Sequence, residues 1–322
     1  MFSTEGEQRV AVVTGAARGI GSWLAKNLHD RGYRVALCDC HDEQGQAMAN
    51  SLDDSQESAI FVHCDVKSYQ SQKELFQAVW KKWFRLDVLI ANAGCVDRGS
   101  VYNLGRRNVA IGELPPEPDT SCTDTVFKGL LYGTVLATHF MRHSPAGSGK
   151  IIATGSMIGV YPCATFPEYC SAKAAIHQWV KTTGLLLQKK ENITVNCIMP
   201  GQVNTSAMPD FSEAFLPKHL TLKSNLIAGY DIFLDDVDNK RTGETLEAAH
   251  DEIVSWGHPE YKSGEIARRY EKVYEPWFQM LHGEKSGVPG AIENPPGREV
   301  GAIGISSVGK GSASDEVTEK VG

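Results

Sequence analysis

VAVVTGAARGIG, residues 10–21, decides the fold of this chain. Its first four residues are apolar and predict a buried strand, and apolar residues at helical spacing follow the glycines. Glycines at positions 15, 19 and 21 let the backbone approach a pyrophosphate, and the free N–H groups of the next helix attract its negative charge. A strand, a glycine turn and a helix in that order predict a dinucleotide site. Its expected contacts are Gly15, Arg18, Gly19, Ile20 and Gly21.

The second predicted strand, residues 34–39, ends in Asp39. A carboxylate about twenty residues beyond a glycine turn accepts hydrogen bonds from the adenosine ribose hydroxyls and repels a 2'-phosphate. Arg18 has the opposite effect, because a guanidinium can pair with that phosphate. We give Asp39 more weight, since repulsion in a partly buried site is hard to offset. The sequence therefore favours NAD(H), with NADP(H) as the alternative.

Apolar runs and helical patterns alternate along the rest of the chain. Continuous apolar strands separated by helices are typical of a parallel sheet that is covered on both faces. We predict an α/β fold, a Rossmann-type doubly wound sheet of about seven strands with ligands at the carboxyl ends of the strands. Five polar or glycine residues fall at predicted strand ends: Gly15, Asp39, Asp65, Asn92 and Ser156.

Ser156, Tyr169 and Lys173 form the predicted catalytic group. In a helix, Tyr169 and Lys173 lie one turn apart on the same face, so the ammonium is expected to lower the pKa of the phenol toward the working pH. Ser156 lies thirteen residues before Tyr169, at the end of an apolar run. Two other aromatic and basic pairs at the same helical spacing lack a serine at that offset. This context separates the predicted site from a chance pairing.

The pattern also predicts how the chain is divided. Residues 1–256 are interpreted as one dinucleotide-binding and catalytic domain, interrupted by an inserted loop at 95–123 that contains Gly and Pro at high density. This loop is either a lid or a solvated surface loop, and we favour the second. Residues 257–286 are predicted to be a helical extension, with helical spacing over 262–281. Residues 287–322 are rich in Gly, Ser and Pro, which predicts a disordered tail.

Composition restricts the partners and the compartment. The net charge is −7 and there is no long Lys/Arg block, which disfavours nucleic acid and anionic membranes and favours a small-molecule substrate. The N-terminus is polar and no apolar run reaches the length of a membrane span, so a soluble, cytoplasmic protein is expected. Eight scattered cysteines favour reduced thiols. Cys38, Cys40 and His41 could form half of a metal site, but no second ligand pair is found, so no metal is predicted.

The sequence resembles the short-chain dehydrogenase/reductase family from Arg9 to about Ala249. The resemblance rests on six motifs in the family's order and spacing: Thr14-Gly15-xxx-Gly19-Ile20-Gly21, Asp65, Asn92-Ala93-Gly94, Ser156, Tyr169-xxx-Lys173 and Pro200-Gly201. Residues 133–138 and 221–246 are more loosely similar to the 15-hydroxyprostaglandin-dehydrogenase-like branch common in fungi. The resemblance implies an NAD(P)(H)-dependent oxidoreductase that interconverts a secondary alcohol and a ketone. It also implies a homodimer or homotetramer formed through the two helices that flank strand five.

The resemblance further implies a role for each motif residue. Ser156 would orient the substrate oxygen, Tyr169 would pass the proton, and Lys173 would hold the nicotinamide ribose. Asp65 would bind the adenine and Asn92 would border the nicotinamide side. The other expected cofactor contacts are Val66, Ala93, Gly94, Pro200, Gly201, Val203 and Thr205.

One position departs from the family pattern. The family usually has an Asn in the helix after strand four, three residues before a Gly, where it supports a water that leads from the lysine to solvent. Aligning Gly133 places Leu130 there, and aligning Gly129 places Val126 there. Proton delivery is therefore expected to be rerouted or impaired. This departure keeps a second hypothesis open, a nucleotide-binding non-redox enzyme or regulatory binder on the same fold.

Apolar residues near the predicted site suggest the character of the substrate. Met157, Tyr161, Phe166 and Met208 favour a small, apolar ligand, although aromatic side chains in such positions can equally belong to the core.

Overall fold

A computed structural model describes residues 8–204 and 211–294 of the 322-residue chain. The chain divides into two compact units, residues 1–258 and 259–322, which are described separately below. The first unit holds the sheet and all the predicted site residues. No helix among the described residues is both long and apolar enough to cross a membrane.

A single eight-stranded sheet forms the centre of the first unit, with the strand order β3-β2-β1-β4-β5-β6-β7-β8. Strands β1 to β7 are parallel, which confirms the predicted doubly wound fold, and β8 is antiparallel to β7. About seven strands were expected, and the eighth, β8, is a short antiparallel edge strand. The strands are β1 Val10–Thr14, β2 Arg34–Asp39, β3 Ala59–His63, β4 Val88–Ala91, β5 Gly149–Thr154, β6 Ile193–Pro200, β7 Thr245–Ala248 and β8 Ile253–Trp256.

Helices cover both faces of this sheet. Side chains of α1, α2 and α7 contribute to one buried apolar cluster, and side chains of α3, α5 and α6 contribute to the other. The sheet therefore lies between two helical layers, as parallel strands require. The helices of this unit are α1 Gly19–Asp30, α2 Asp42–Leu52, α3 Tyr69–Trp83, α4 Ser121–Thr123, α5 Gly129–His143, α6 Pro167–Glu191 and α7 Lys223–Leu234.

The strand order reverses between β1 and β4, which opens a crevice at their carboxyl ends. Both strands pair in parallel, with Val12 opposite Leu89 and Val13 opposite Ile90. In open α/β sheets, ligands bind at this reversal. The glycine turn after β1 and the Asn92 segment after β4 both border it, so topology alone brings these two motifs together.

The helical segment before β5 is irregular. A π-helical turn, Asp124–Lys128, separates the short α4 from α5. The predicted inserted loop is irregular from residue 95 to 120, except for one 3-10 turn at Leu104–Arg106, and the helical path begins at Ser121. The three loop prolines, at 115, 116 and 118, are exposed.

The second unit contains two short helices, α8 Glu265–Tyr270 and α9 Glu275–His282. Both helices lie within the span 262–281, where the sequence has helical spacing. The chain is extended at Tyr274, which forms a parallel bridge with Ile292, and Pro276 stands in the first turn of α9. Residues 295–322, most of the predicted tail, lie outside the described residues.

Candidate active site

The glycine turn after β1 has a backbone that only glycine fits. Gly15 and Gly19 have φ values of +66° and +59°, in the left-handed region that favours glycine. A Cβ on Gly21 would lie 2.0 Å from the Gly15 carbonyl oxygen, and one on Gly15 would lie 2.9 Å from Ala93 Cα. The turn therefore packs against both α1 and the Asn92 segment, and it leaves the N-terminus of α1 available for a phosphate.

Asn92 ties this turn to the sheet. Its Nδ2 donates to the carbonyl oxygens of Thr14 and Gly15, at 3.0 and 3.2 Å. Its Oδ1 accepts from Thr154 Oγ1 at 3.1 Å, and its backbone N–H donates to Thr14 Oγ1 at 3.0 Å. The side-chain amide is thus engaged on both ends, which fixes the distance between the glycine turn and the end of β5.

Asp39 lies at the end of β2 and is only 8% exposed. Its Oδ2 accepts from Ala17 N at 3.0 Å, and its Oδ1 accepts from the backbone N of His41 at 3.1 Å and contacts His41 Nδ1 at 2.7 Å. The carboxylate therefore stands beside the glycine turn, as the sequence predicted. Arg18, the other residue with a bearing on cofactor choice, is exposed at the N-cap of α1.

Asp39, Cys40 and His41 also bring three potential metal-binding atoms within 4.8 Å of one another. Cys38, which was considered with Cys40 and His41 as half of a metal site, is not part of this group, since its buried thiol forms a hydrogen bond with the thiol of Cys64, just after β3. Because one Asp39 oxygen already binds Ala17 N and the other contacts His41, the group is explained without an ion.

The structure brings Ser156, Tyr169 and Lys173 together. Ser156 follows β5, while Tyr169 and Lys173 lie one turn apart near the start of α6. Lys173 Nζ is 5.4 Å from the centroid of the Tyr169 ring, and the Ser156 side chain is hydrogen-bonded to the phenol. Lys173 is 3% exposed, and its Nζ donates to the Thr154 carbonyl oxygen at 2.6 Å.

Burial governs the protonation of this group. It raises the pKa of Tyr169 above its usual range, and the hydrogen bond with Ser156 opposes this only in part. Burial also lowers the pKa of Lys173 to about 8. The expectation that the pKa of the phenol is lowered is therefore wrong for the protein by itself, because the loss of hydration, with the neighbouring thiols of Cys122, Cys170 and Cys95, raises it.

Asp97, in the inserted loop, caps α6, a contact that the sequence did not predict. Its Oδ2 accepts from Glu168 N at 2.9 Å and its Oδ1 accepts from Tyr169 N at 2.8 Å. These two donors belong to the first turn of α6, where Phe166 at the N-cap provides no side-chain hydrogen bond. Glu168 Oε1 in turn accepts from Thr123 N at 2.7 Å. The loop is therefore fastened to the turn of helix that carries Tyr169.

Both candidates for the position of the family's Asn are apolar and buried: Val126 is 2% exposed and Leu130 is 3% exposed. Val126 lies in the π-helical turn, and π-turns leave backbone groups without their usual partners. Gln72 from α3 binds beside this turn, where its Nε2 donates to the carbonyl oxygens of Gly129 and Val66 at 2.9 and 2.7 Å. Gln72 also borders a cavity of about 10 Å³, about the size of one water molecule.

The other described cofactor candidates lie at or after the carboxyl ends of β3, β4 and β6. Asp65 Oδ1 accepts from Lys67 N at 3.0 Å. Val66 is buried beside Gly129, and a Cβ on Gly94 would lie 3.7 Å from Lys173 Nζ. Pro200 ends β6, and Gly201 N donates to the Ala248 carbonyl oxygen at 3.0 Å. Val203 is buried, whereas Thr205 lies outside the described residues.

Three of the four predicted substrate residues are described. Met157 Sδ would lie 2.9 Å from a Cβ on Gly201, so this side chain reaches the end of β6. Tyr161 is 50% exposed and packs edge-on against Trp256, with ring centroids 5.8 Å apart. Phe166 is half-buried at the start of α6. Met208 lies outside the described residues. The described apolar side chains are near the catalytic group and partly accessible.

Comparisons with known proteins agree with this geometry. The family model for short chain dehydrogenases matches residues 9–214. The chain is 41% identical over 295 residues to the short-chain dehydrogenase/reductase prx6 of Penicillium rubens, covering 89% of this chain and 98% of that protein. It is 30% identical over 204 residues to human 15-hydroxyprostaglandin dehydrogenase [NAD(+)], covering 62% and 70%. A short-chain type dehydrogenase/reductase from Mycobacterium marinum superposes with a TM-score of 0.63 at 25% identity, covering 74% and 93%.

The chain belongs to the short-chain dehydrogenase/reductase family, in the branch that includes the 15-hydroxyprostaglandin dehydrogenases. It is an NAD(P)-dependent oxidoreductase that acts on a CH–OH group or the corresponding carbonyl of a small molecule.

Proposed function

We propose that Ser156, Tyr169 and Lys173 carry out the proton transfer in the interconversion of a secondary alcohol and a ketone. The observation that carries this proposal is the position of Lys173 Nζ, 5.4 Å from the Tyr169 ring centroid, with Ser156 hydrogen-bonded to the phenol. All three side chains lie at the carboxyl end of β5 or on the helix that follows it. The glycine turn stands across the crevice, tied to the end of β5 by Asn92.

Each residue has a chemical task. The nicotinamide cofactor, when bound, supplies or accepts the hydride. Tyr169 gives a proton to the substrate oxygen during ketone reduction and removes it during alcohol oxidation. Ser156 donates a hydrogen bond to the same oxygen, where negative charge develops. Lys173, mostly protonated at neutral pH because its pKa is about 8, stabilises negative charge on the phenol and would contact the nicotinamide ribose.

The glycine turn fits the pyrophosphate of that cofactor. Any side chain at position 21 would collide with the turn, and the N–H groups at the start of α1 have no side-chain cap. We propose that Gly15, Gly19, Ile20 and Gly21 hold the pyrophosphate, with Asp65, Val66, Ala93, Gly94, Pro200, Gly201, Val203 and Thr205 as the further contacts.

NAD(H) is the proposed cofactor, with NADP(H) as the weaker ligand. Asp39 is nearly buried beside the turn, and two of the three groups on its oxygens are backbone N–H groups, which hold the carboxylate in place. A fixed negative charge at this position favours ribose hydroxyls and repels a 2'-phosphate. Arg18 is exposed and free to move, so it offsets this repulsion poorly. Titration with NADH and NADPH, followed by nicotinamide fluorescence, tests the preference.

An apolar substrate fits the mouth of the site. Met157, Tyr161 and Phe166 are all partly accessible, and Tyr161 forms an aromatic pair with Trp256. We propose a small substrate with an apolar or aromatic body attached to the reacting carbon. A panel of secondary alcohols of increasing apolar surface tests this. The measurement is the absorbance of the NADH that each alcohol produces.

Tyr169→Phe, Ser156→Ala and Lys173→Met test the catalytic group. We expect Tyr169→Phe to lower kcat by at least about a hundredfold, the lower range for acid–base catalysis, while NADH still binds. Wild-type turnover by Tyr169→Phe on a substrate of the unmodified enzyme would refute the proposed role of the tyrosine.

We further propose that the enzyme forms a homodimer or homotetramer through α5 and α6. Both helices expose large apolar side chains, Val135 at 52% and Leu185 at 50%. Light scattering after gel filtration of Val135→Asp, which should dissociate the oligomer, tests this.

A cytoplasmic location is proposed because all eight cysteines are free thiols, typical of reducing compartments. A fluorescent fusion protein tests it.

A further inference from the structure

Two cysteines at the ends of the inserted loop have their thiols in contact. Cys95 directly follows Gly94, and Cys122 lies in α4 at the other end of the loop. Cys122 Sγ donates to the Cys95 carbonyl oxygen at 2.9 Å, and Cys95 Sγ, in its protonated form, donates to the Ser121 carbonyl oxygen at 3.8 Å. The two sulfur atoms are also hydrogen-bonded to each other. Each cysteine therefore contacts the backbone of the other's segment as well as its thiol.

The two thiols are unequal in access and acidity. Cys95 is half-buried, whereas Cys122 is fully buried. The hydrogen bond from Cys122 lowers the pKa of Cys95 to about 6 and raises the pKa of Cys122. At neutral pH, Cys95 is thus mostly a thiolate that solvent can reach. An accessible thiolate beside a second thiol is the arrangement found in redox-sensitive cysteine pairs.

We propose that Cys95 and Cys122 form a reversible disulfide when the enzyme meets a hydroperoxide. The Cys95 thiolate attacks the outer peroxide oxygen, the O–O bond breaks, and Cys95 becomes a sulfenic acid. The alkoxide or hydroxide that is released takes one proton from solvent and leaves as an alcohol or water. The Cys122 sulfur then attacks the Cys95 sulfur, an S–S bond forms, and the sulfenic oxygen leaves as water with the Cys122 proton. Two thiols are oxidised to one disulfide and one peroxide is reduced.

The position of the pair gives this modification a consequence. The disulfide joins the two ends of residues 96–121, the loop that caps α6 through Asp97. It also removes a thiolate close to Lys173, whose charge the two thiols affect. We therefore expect oxidation to lower turnover and dithiothreitol to restore it. In a reducing compartment the pair would be free thiols most of the time, and the disulfide would form only while peroxide is present.

Intact-mass spectrometry of the full-length enzyme after treatment with hydrogen peroxide tests the proposal. We expect the mass to fall by two hydrogens and a non-reduced digest to contain a peptide pair joined through Cys95 and Cys122. Trypsin offers a second readout, since Arg98, Arg106 and Arg107 lie in the loop between them. On a non-reducing gel, the nicked oxidised chain should run as one species, and dithiothreitol should separate it into two.

Cysteine variants provide the controls. Cys95→Ser and Cys122→Ser should each abolish the loss of two hydrogens and the peroxide sensitivity of turnover, whereas Cys40→Ser, which removes an exposed thiol elsewhere, should change neither. A mass gain of two oxygens on Cys95 without a disulfide would overturn the proposal. So would a disulfide between Cys38 and Cys64, the other thiol pair in contact, in place of the predicted one. Unchanged turnover in the fully oxidised enzyme would refute the consequence for activity.

Discussion

Asp97→Ala should loosen the helix that carries the catalytic tyrosine. The carboxylate accepts two backbone hydrogen bonds, from Glu168 N and Tyr169 N. Asp97 is only partly buried, so solvent screening reduces each charge-assisted bond to about 1 kcal/mol. Together they are worth about 2 kcal/mol, the upper range for the loss of an N-cap. If each turnover has to re-form the capped position of Tyr169, the activation free energy rises by about 2 kcal/mol and kcat falls about 30-fold.

Two measurements distinguish the loss of the helix cap from a loss of substrate binding. Hydrogen–deuterium exchange requires no substrate, and the amides of Glu168 and Tyr169 should exchange faster in Asp97→Ala. Steady-state kinetics with the best alcohol from a screen should show a lower kcat and a nearly unchanged KM, because the residue positions Tyr169 and does not bind substrate. Asp97→Asn keeps one acceptor oxygen and should lie between the wild type and the alanine variant.

Asp119→Ala is the matched control. This aspartate belongs to the same loop and accepts a backbone hydrogen bond of 2.8 Å from Ser121 N, but it forms no hydrogen bond with the described residues of α6. We expect its kcat to stay within about twofold of the wild type. The reasoning is refuted if Asp97→Ala keeps wild-type exchange and kcat, or if it loses no more activity than Asp119→Ala.

Four further predictions follow from the geometry. Keeping Lys173 charged in the fold costs about 3 kcal/mol, because burial lowers its pKa from 10.5 to about 8. The free energy of unfolding in urea at pH 7 should therefore be about 1–3 kcal/mol higher for Lys173→Met than for the wild type, once the lost hydrogen bond to Thr154 is subtracted. The variant should be inactive. That stability advantage should shrink as the pH rises from 8 to 10.5, because the folded lysine is already neutral there and the unfolded lysine is losing its charge. A difference in stability that stays constant over this range would contradict the lowered pKa of Lys173. Gly21→Ala should abolish NADH binding, measured by fluorescence, because its Cβ would lie 2.0 Å from a backbone oxygen that cannot move independently. Asp39→Asn should raise the affinity for NADPH relative to NADH by about tenfold, and an unchanged ratio would show that the charge does not set the preference. Gln72→Leu should lower the melting temperature by about 2–6 °C, because it removes the side-chain donor to the carbonyl oxygens of Gly129 and Val66, while Gln70→Leu on the exposed side of α3 should not.

Local patterns in the sequence were enough to predict the doubly wound sheet and the placement of the motifs. A glycine turn depends on backbone angles within a few residues, as the φ values of Gly15 and Gly19 show. The spacing of Tyr169 and Lys173 depends only on the helical repeat. Strand ends meet at one edge because parallel strands run the same way. Each of these features is set by near neighbours along the chain, so the sequence determined them by itself.

Tertiary structure decided what depends on distant parts of the chain. Asp97 caps α6 across 71 and 72 residues, and its loop has no periodicity from which that contact could be read. The direction of the pKa change at Tyr169 was predicted wrongly, because spacing shows a nearby cation but not the loss of hydration in the folded protein. The contact between Cys95 and Cys122 likewise depends on how the loop returns to α4. Such features are fixed by packing, which no local pattern encodes.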